Sequence, residues 1–383
     1  MKRSYIAKRF QSSGAGLSLD TEALAKYKDI IDLSIGDTDF TTDESIINAA
    51  FRDAKAGHTH YGDPKGDPEL IDAVCRAWEE DFGQRLPRDH VLVSASSCLG
   101  MALVMLAILD PGDEVIAFSP YFPMYREQIE LAGGVCVDVP TYASEDYAID
   151  EARLRAAITP RTKAIVFNNP TNPTGMGYDG KTLELLARVA QEHDLLIAAD
   201  EIYTTYLYEG DFCPIRTLPG MAERTITLNS FSKNFLMTGW RVGVIIAEPE
   251  LLAVMNRING SLIYSAPSVS QRAAIQALAM RKEIREKYVT AYRDRIFYSA
   301  DRIEKLPYLS LVRPKGTFYL FPGVEKTGLD EKAFCKVLLD QAHVLVSPGT
   351  PFGVSAAGHF RIACTVGIDQ LKTAFDRMEK LSF

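Results

Sequence analysis

The stretch TITLNSFSKNFLMTGWRVGVIIA (residues 225–247) contains two apolar runs joined by a loop of serine, glycine and aromatic residues. Its two ends, TITLN (225–229) and VGVIIA (242–247), are mostly β-branched or apolar and predict buried strands. Lys233 follows the first strand in mostly apolar company. A lysine there is able to form a Schiff base with a carbonyl compound, although composition alone favours a surface lysine in a loop.

Five similar runs precede this stretch, and helical patterns fill the gaps between them. The runs are residues 91–95, 114–118, 135–139, 164–168 and 195–199. One predicted helix begins at Asp67 and Pro68, a capping acid followed by a residue that suits a first turn. Continuous apolarity in the strands indicates burial on both faces. The sequence therefore predicts an α/β fold whose large domain contains a seven-stranded, mostly parallel sheet between helices.

A chain of 383 residues exceeds the usual size of one core, so two domains are expected. A helical pattern over residues 268–295 leaves the predicted sheet, and short strands alternate with helices after it. We expect residues 45–280 to form the large, ligand-binding domain. Residues 281–383 are expected to form a smaller α+β domain, to which residues 1–44 contribute an N-terminal arm.

Composition excludes several classes of protein. The formal net charge of -8 and the pI near 5.4 argue against a nucleic-acid-binding surface, which needs clustered positive charge. The longest apolar run, residues 101–109, is far shorter than the roughly 18 residues that cross a bilayer. The six cysteines contain no CxxC pair, and His58 and His60 have no further ligand nearby, so no metal site is expected. We expect a soluble cytoplasmic protein.

Ligands of such sheets bind beyond the carboxyl ends of the strands, so the residues that follow each strand carry the functional signal. SSCLG (96–100) opens an apolar helix whose free N–H groups suit a phosphate, although ordinary tight turns look similar. SPYFPMY (119–125) fixes aromatic rings between prolines, either to stack on a flat heterocycle or to pack in the core.

Two further strand ends carry polar side chains. The doubled Asn-Pro motif NPTNPTG (169–175) forms a rigid loop able to present the Asn172 amide to a phenolate oxygen. Asp200, at the end of a buried strand, needs a partner such as a protonated ring nitrogen. Tyr203 offers a donor to the hydroxyl oxygen of the same ring.

Ser230 and Arg241 flank Lys233 with anion-binding groups. A phosphate cradle, a ring stacker, a hydroxyl donor, an acid and a lysine thus meet at one sheet edge. Together they predict a site for pyridoxal 5'-phosphate (PLP), in which the acid keeps the pyridine nitrogen protonated and makes the ring an electron sink.

Six motifs, in this order and spacing, resemble those of the class I/II aminotransferases, the aspartate aminotransferase-like members of the PLP-dependent fold-type I superfamily. The motifs are YGDPKGDPEL (61–70), SPYFPMY (119–125), NPTNPTG (169–175), DEIY (200–203), SFSKNFLMTGWRVG (230–243) and HFRIACTVG (359–367). The resemblance implies transfer of an amino group from an L-amino acid to a 2-oxo acid by a ping-pong mechanism. It also implies a homodimer.

The resemblance assigns roles around the cofactor ring. Lys233 forms the Schiff base and, once freed, moves the proton between the substrate α-carbon and the cofactor. Asp200 pairs with the pyridinium nitrogen, and Asn172 and Tyr203 bond the phenolate oxygen. Phe122 stacks on the ring.

The resemblance also assigns the phosphate contacts. Ser230, Arg241 and the backbone at Ser97 and Cys98 hold the phosphate. Tyr61 is similar to the tyrosine that reaches the phosphate from the other subunit.

The substrate contacts follow in the same way. Arg361 binds the substrate α-carboxylate by a bidentate fork, and Asn172 and the backbone of Gly36 contact the same group. For the ring stacker, Tyr121 is the alternative to Phe122 by one register.

Departures from the family pattern bear on the substrate. Cys98 stands where some aspartate-specific relatives place a lysine for a distal carboxylate, which argues against a strict dicarboxylate enzyme. Tyr5, Phe10, Tyr125 and Tyr264 either line an apolar substrate pocket or pack in the core.

Two other functions are compatible with parts of this pattern, whereas a third lacks its motif. A PLP-dependent lyase, such as a cysteine-conjugate β-lyase, uses the same lysine and acid. A non-catalytic PLP-binding sensor is a more remote alternative. A nicotinamide oxidoreductase needs GxGxxG after its first strand, and the turn after residues 91–95 lacks it.

Overall fold

The computed structural model describes residues 5–7 and 26–383. Residues 1–4 and 8–25 of the expected N-terminal arm, which include Phe10, lie outside the described residues. The described strands are β1 (Ile31–Asp32), β2 (Val91–Ser94), β3 (Glu114–Ser119), β4 (Val135–Pro140), β5 (Thr162–Asn168), β6 (Leu196–Asp200), β7 (Thr225–Ser230), β8 (Gly243–Ile246), β9 (Tyr319–Leu320), β10 (Val344–Leu345), β11 (Ser347–Pro348) and β12 (Phe360–Ala363).

The α-helices connect these strands. They are α1 (Glu44–Lys55), α2 (Pro68–Phe82), α3 (Ser97–Ile108), α4 (Met124–Leu131), α5 (Glu151–Ala157), α6 (Gly180–Glu192), α7 (Phe231–Asn234), α8 (Pro249–Leu262), α9 (Ser268–Ala279), α10 (Arg281–Ile284), α11 (Thr290–Ile303), α12 (Glu331–Val337) and α13 (Ile368–Met378). Within residues 5–7 and 26–383, no helix is both long enough and apolar enough to span a membrane.

Seven of the described strands form the central sheet, in the order β2-β8-β7-β6-β5-β3-β4. Neighbouring strands are parallel except at β8, which is antiparallel to both β2 and β7. Every residue of β2, β3 and β8 is buried, as expected for apolar strands covered by helices on both faces. The predicted α/β fold with a seven-stranded, mostly parallel sheet is confirmed.

Helix α2 has the ends that its sequence predicts. The side chain of Asp67 accepts a hydrogen bond from the N–H of Glu69, and Pro68 occupies the first turn. Gly83 ends the helix in the left-handed conformation, with φ 68°. The apolar face buries Trp78 in a core cluster shared with the central sheet.

The helical run predicted over residues 268–295 is longer than expected and is interrupted. After Met280 the chain continues through α10, a π-helical segment at Arg285–Val289, and α11, which ends at Ile303. Apolar periodicity does not reveal a single π-helical turn, because the side chains on either side keep a helical spacing.

Two small sheets complete the C-terminal part of the described chain. Strand β12 pairs antiparallel with β9 and β11, and β1 pairs parallel with β10, with Ile31 opposite Val344. The N-terminal strand is therefore built into the C-terminal half. This pairing brings residues 34–36 and Arg361 to the same cavity as the carboxyl ends of the central strands.

Candidate active site

Two neighbouring cavities lie at the carboxyl ends of the central strands. The larger has a volume of about 480 Å³, and its walls include Asn172, Asp200, Lys233 and Arg361. The smaller, of about 160 Å³, extends to the first turn of α3. Tyr125, Asp200 and Lys233 line both cavities, so a ligand is able to contact the two together.

Lys233 lies in the short helix α7, directly after β7. Ser230 caps this helix by accepting a hydrogen bond from the N–H of Ser232 at 3.1 Å, and the Tyr206 hydroxyl donates to the Lys233 carbonyl at 2.9 Å. Lys233 Nζ donates to the carbonyl oxygen of Gly36 at 2.5 Å. The amino group therefore faces the cavity and not the bulk solvent.

Asp200 is the last residue of β6 and is 6% exposed. Its Oδ2 accepts a hydrogen bond from the Tyr125 hydroxyl at 2.5 Å, whereas Oδ1 has no partner among the described residues. Burial raises the pKa of this carboxyl to about 6, and the Tyr125 hydrogen bond acts in the opposite direction. A buried carboxylate oxygen without a donor is unfavourable, so Asp200 is suited to a cationic donor on a ligand.

Asn172 and Tyr203 present donors to the same cavity. The Oδ1 atom of Asn172 accepts from Arg361 Nη1 at 3.0 Å, which leaves the amide NH2 group available to a ligand. The Tyr203 hydroxyl lies 3.1 Å from the Tyr319 hydroxyl. Burial first, and the neighbouring Tyr319 second, raise the pKa of Tyr203 well above its usual value, so this hydroxyl stays protonated.

Arg361, on β12, is 5% exposed and bonds neutral oxygens, Oδ1 of Asn172 and the Ser34 carbonyl at 2.6 Å. Within the described residues no acid pairs with it, and its Nε has no partner. Its guanidinium carbon lies 4.7 Å from the ring centre of Tyr319 and 4.9 Å from that of Phe352. A buried guanidinium held this way favours a carboxylate ligand.

The smaller cavity collects donors that suit an anion. Ser96 caps α3, and the N–H groups of Ser97 and Cys98 in its first turn have no acceptor within the helix. Ser230 and Arg241 line the same cavity. The helix dipole and the arginine together favour a phosphate group here.

Phe122 lines both cavities, whereas Tyr121, the alternative ring stacker, lines neither. Tyr121 is buried, and its hydroxyl accepts a hydrogen bond from Arg126 Nε at 3.0 Å instead of reaching a cavity. The register of the SPYFPMY loop thus presents Phe122 to a ligand.

Tyr61 lines neither cavity of its own chain and is 86% exposed, with its ring centre 4.9 Å from that of Tyr264. Of the residues considered for an apolar substrate pocket, Tyr125 lines the cavity but bonds the buried acid through its hydroxyl. Tyr264 and Tyr5 are exposed, so neither packs in the core of this chain.

Sequence reasoning missed several residues of the cavity walls, among them Ser232, Thr238 and Tyr319. Ser232 directly precedes Lys233 in the sequence SFSK, and a hydroxyl side chain at that position could have been predicted to contact an anion. Tyr319 has no such signal, because it reaches the cavity from a distant strand in the C-terminal half.

This set of groups fits PLP. The unpartnered Oδ1 of Asp200 suits a pyridinium N–H, and the donors of Asn172 and Tyr203 suit a phenolate oxygen. Lys233 supplies the amine for an aldehyde, and the smaller cavity suits a phosphate.

Comparisons with known proteins agree with this chemistry. Residues 28–378 match the family model described as aminotransferase class I and II. The chain is 35% identical to the arginine–pyruvate transaminase of Pseudomonas aeruginosa, over 99% of this chain and 97% of that protein. It is 38% identical to the aspartate/prephenate aminotransferase of Thermus thermophilus, over 92% of this chain and 91% of that one. A solved mutant of Thermus thermophilus aspartate aminotransferase superposes with a TM-score of 0.92 at 35% identity, covering 99% of this chain and 100% of that chain.

Proposed function

Because this chain belongs to the class I and II aminotransferases and so moves amino groups with PLP, we propose that Lys233 holds the cofactor and carries the proton. The reaction transfers an amino group from an L-amino acid to a 2-oxo acid in two halves, with one substrate leaving before the other enters. Which residues perform each part is inferred from the cavity walls.

One observation carries the residue assignment. Two buried groups of opposite charge, the Asp200 carboxylate and the Arg361 guanidinium, line one cavity with Lys233, and each has an unpartnered polar atom among the described residues. A ligand that is cationic where it meets Asp200 and anionic where it meets Arg361 satisfies both. An amino acid bound to PLP meets this description, with its α-carboxylate on the arginine.

The cofactor, when bound, supplies a protonated aromatic ring that accepts the electron pair left when the substrate loses its α-proton. Asp200 keeps the ring nitrogen protonated, and Asn172 and Tyr203 donate to the ring oxygen. Phe122 covers one face of the ring. Lys233 Nζ would take the proton from the substrate α-carbon and deliver it to the C4′ carbon of the cofactor, a fast transfer because one amine is held near both atoms.

The phosphate is assigned to the smaller cavity. The backbone N–H groups of Ser97 and Cys98, the Ser230 hydroxyl and the Arg241 guanidinium supply its donors. These groups would anchor the cofactor throughout the reaction.

We infer a homodimer in which Tyr61 contacts the phosphate of the other subunit. Tyr61 is almost fully exposed and lies against Tyr264, and Phe51 and Leu262 are also exposed. Apolar surface that is clustered, as in the contact between the Tyr61 and Tyr264 rings, is typical of a protein–protein contact.

The substrate is inferred to lack a distal carboxylate. Ile35, Val346 and Pro348 give the larger cavity an apolar wall. Of the described arginines, Arg361 alone lines this cavity, and it is used by the α-carboxylate. The named relatives act on donors as different as arginine and aspartate, so their names do not decide the substrate.

The proposed domain boundaries are a large PLP-binding domain of residues 45–280 and a small domain of residues 281–383, with residues 1–44 as an arm and part of the small domain. We place the protein in the cytoplasm, where amino acids and oxo acids are interconverted.

A half-reaction screen tests the proposal. Single amino acids are added to the PLP-loaded protein without an acceptor, and the cofactor absorbance is followed. Donors with apolar or uncharged side chains are expected to convert the spectrum and release their oxo acids, and a 2-oxo acid is expected to restore it. Release of pyruvate and ammonia in repeated turnovers without an acceptor would favour lyase chemistry instead.

A further inference from the structure

Tyr319 joins three groups of the site although it lies far from all of them in sequence. It is on β9, which pairs with β12, the strand that carries Arg361. Its side chain lines the larger cavity, is 2% exposed, and has its hydroxyl 3.1 Å from that of Tyr203. An ideal Cβ on Gly36 would lie 1.8 Å from the Tyr319 Oη atom, so only glycine leaves room for this hydroxyl.

We propose that Tyr319 is a positioning residue for the transamination: its hydroxyl directs the Tyr203 proton at the cofactor, and its ring holds the Arg361 guanidinium for the substrate carboxylate. This inference rests on the proposed roles of Tyr203 and Arg361. Tyr319 would thereby link Tyr203, which holds the cofactor ring, to Arg361, which recognises the substrate.

The direction of the Tyr203–Tyr319 hydrogen bond follows from counting protons. A tyrosine hydroxyl has one proton to donate. If Tyr203 gives its proton to the ring oxygen of the cofactor, its own oxygen must accept from Tyr319. The two hydroxyls then form a chain that ends on the ligand, and each bond in such a chain strengthens the next. Tyr319 therefore makes Tyr203 a better donor without touching the ring oxygen.

The Tyr319 ring has a separate effect on Arg361. The guanidinium lies over this ring and over that of Phe352, and its two outer nitrogens bond the Asn172 side chain and the Ser34 carbonyl. Such stacking fixes the plane of the guanidinium. A fixed plane matters because a bidentate contact with a carboxylate requires it.

Two substitutions separate these effects. Tyr319→Phe removes the hydroxyl and keeps the ring, whereas Tyr319→Leu removes both. A matched control is Tyr292→Phe, which removes a buried hydroxyl, bonded to Asp39 at 3.0 Å, from the same aromatic cluster. The three variants are compared by thermal unfolding, by the pH at which the bound cofactor changes absorbance, and by KM and kcat for one amino donor.

Loss of the Tyr319 hydroxyl should make the ring oxygen more basic, because Tyr203 donates to it less strongly. The absorbance midpoint of Tyr319→Phe is expected to rise by about 0.5–1 pH unit, the size of one neutral hydrogen bond, with little change in KM. Tyr319→Leu is expected to show the same rise and a KM increased about threefold to tenfold, because Arg361 loses a stacking partner. Tyr292→Phe is expected to keep the wild-type midpoint.

The decisive comparison repeats Tyr319→Phe in a Tyr203→Phe background. If Tyr319 acts through Tyr203, the second substitution adds no further shift of the midpoint. A full extra shift there, or an unmoved midpoint in Tyr319→Phe alone, overturns the inference. If no amino donor changes the absorbance spectrum of the wild-type protein, the proposed function is wrong. If the wild-type half-reaction is normal but the absorbance midpoint of Tyr319→Phe does not move, only this inference is wrong.

Discussion

The Tyr125 hydroxyl donates to Oδ2 of Asp200 at 2.5 Å, and both side chains are buried beneath the cavity. This bond uses one carboxylate oxygen and leaves the other, Oδ1, without a partner in the described chain. It therefore fixes the orientation of the acid and favours its charged form, against the effect of burial. An ionised Asp200 is the form that pairs with a pyridinium nitrogen.

Substituting Tyr125→Phe should weaken cofactor binding, most strongly at low pH. Without this donor the pKa of Asp200 rises further above 6, so the carboxylate form is lost at a higher pH. PLP affinity of the cofactor-free protein, titrated between pH 5 and pH 8, is expected to fall about tenfold to a hundredfold, the size of a hydrogen bond to a charged group. Tyr121→Phe is the control, because its hydroxyl bonds Arg126 instead. Equal affinities of the Tyr125 variant and the wild type across this range would show that the bond has no such role.

Asp200→Asn should stabilise the cofactor-free protein against unfolding and abolish the activity of the PLP-loaded protein. Aspartate titrates near 3.9 in an unfolded chain and at about 6 in this fold, so the folded state binds the proton more tightly. The resulting cost to stability is present above pH 6 and disappears as the pH falls below about 4. Urea unfolding at pH 8 is expected to show a gain of roughly 1–3 kcal/mol, with no gain at pH 4.

Glu201→Gln is the matched control for this experiment. Burial raises the pKa of Glu201 to about 8, so this substitution should also stabilise the protein at high pH. Glu201 lines neither cavity at the candidate site, and PLP binding is expected to persist. If Asp200→Asn and the wild type have the same free energy of unfolding at pH 8, the buried carboxylate does not destabilise the fold.

Arg361→Lys should raise KM for the amino donor without weakening PLP binding. Lysine keeps the positive charge but lacks the fork that binds both carboxylate oxygens. The expected increase in KM is about tenfold to a hundredfold. Arg295→Lys, which alters another buried arginine bonded to Asp39, is the control for general loss of packing. If the two variants have the same KM, Arg361 is not the carboxylate group.

Mixing two inactive variants tests whether Tyr61 serves the other subunit. Tyr61→Ala and Lys233→Ala chains are unfolded together, refolded and assayed at limiting PLP. In a mixed dimer one site then combines an intact Lys233 with an intact Tyr61 from the partner. Half of the dimers are mixed and each has one such site, so about a quarter of wild-type activity is expected. No recovery would place Tyr61 in the site of its own chain, and wild-type activity of Tyr61→Ala by itself would place it outside any site.

The sequence predicted those parts of the molecule that local pattern controls. All seven apolar runs form strands of the central sheet, because continuous burial leaves a clear signal. The sequence identifies Asp200 and Lys233 because they stand at, or three residues beyond, the carboxyl end of such a strand, and these ends share one edge of the sheet. Asn172 was found because a doubled Asn-Pro step continues neither strand nor helix.

The contacts that local pattern could not reveal depend on long-range geometry. Tyr125 lies in the first turn of α4 and Asp200 at the end of β6, 75 residues later, and only the tertiary fold brings the two side chains together. Tyr319 meets Tyr203 across more than a hundred residues of sequence, through the antiparallel pairing of β9 with β12. Neither contact has a spacing in the sequence that predicts it.

The identity of the cofactor-bearing lysine is tested most directly by borohydride reduction of the PLP-loaded protein, followed by peptide mapping by mass spectrometry. Wild-type protein is expected to carry reduced PLP on the peptide that contains Lys233, and Lys233→Ala is expected to bind PLP without any such label and to lose transaminase activity. The same label on a different lysine of the wild type, or a persistent label together with activity in Lys233→Ala, would contradict the assignment.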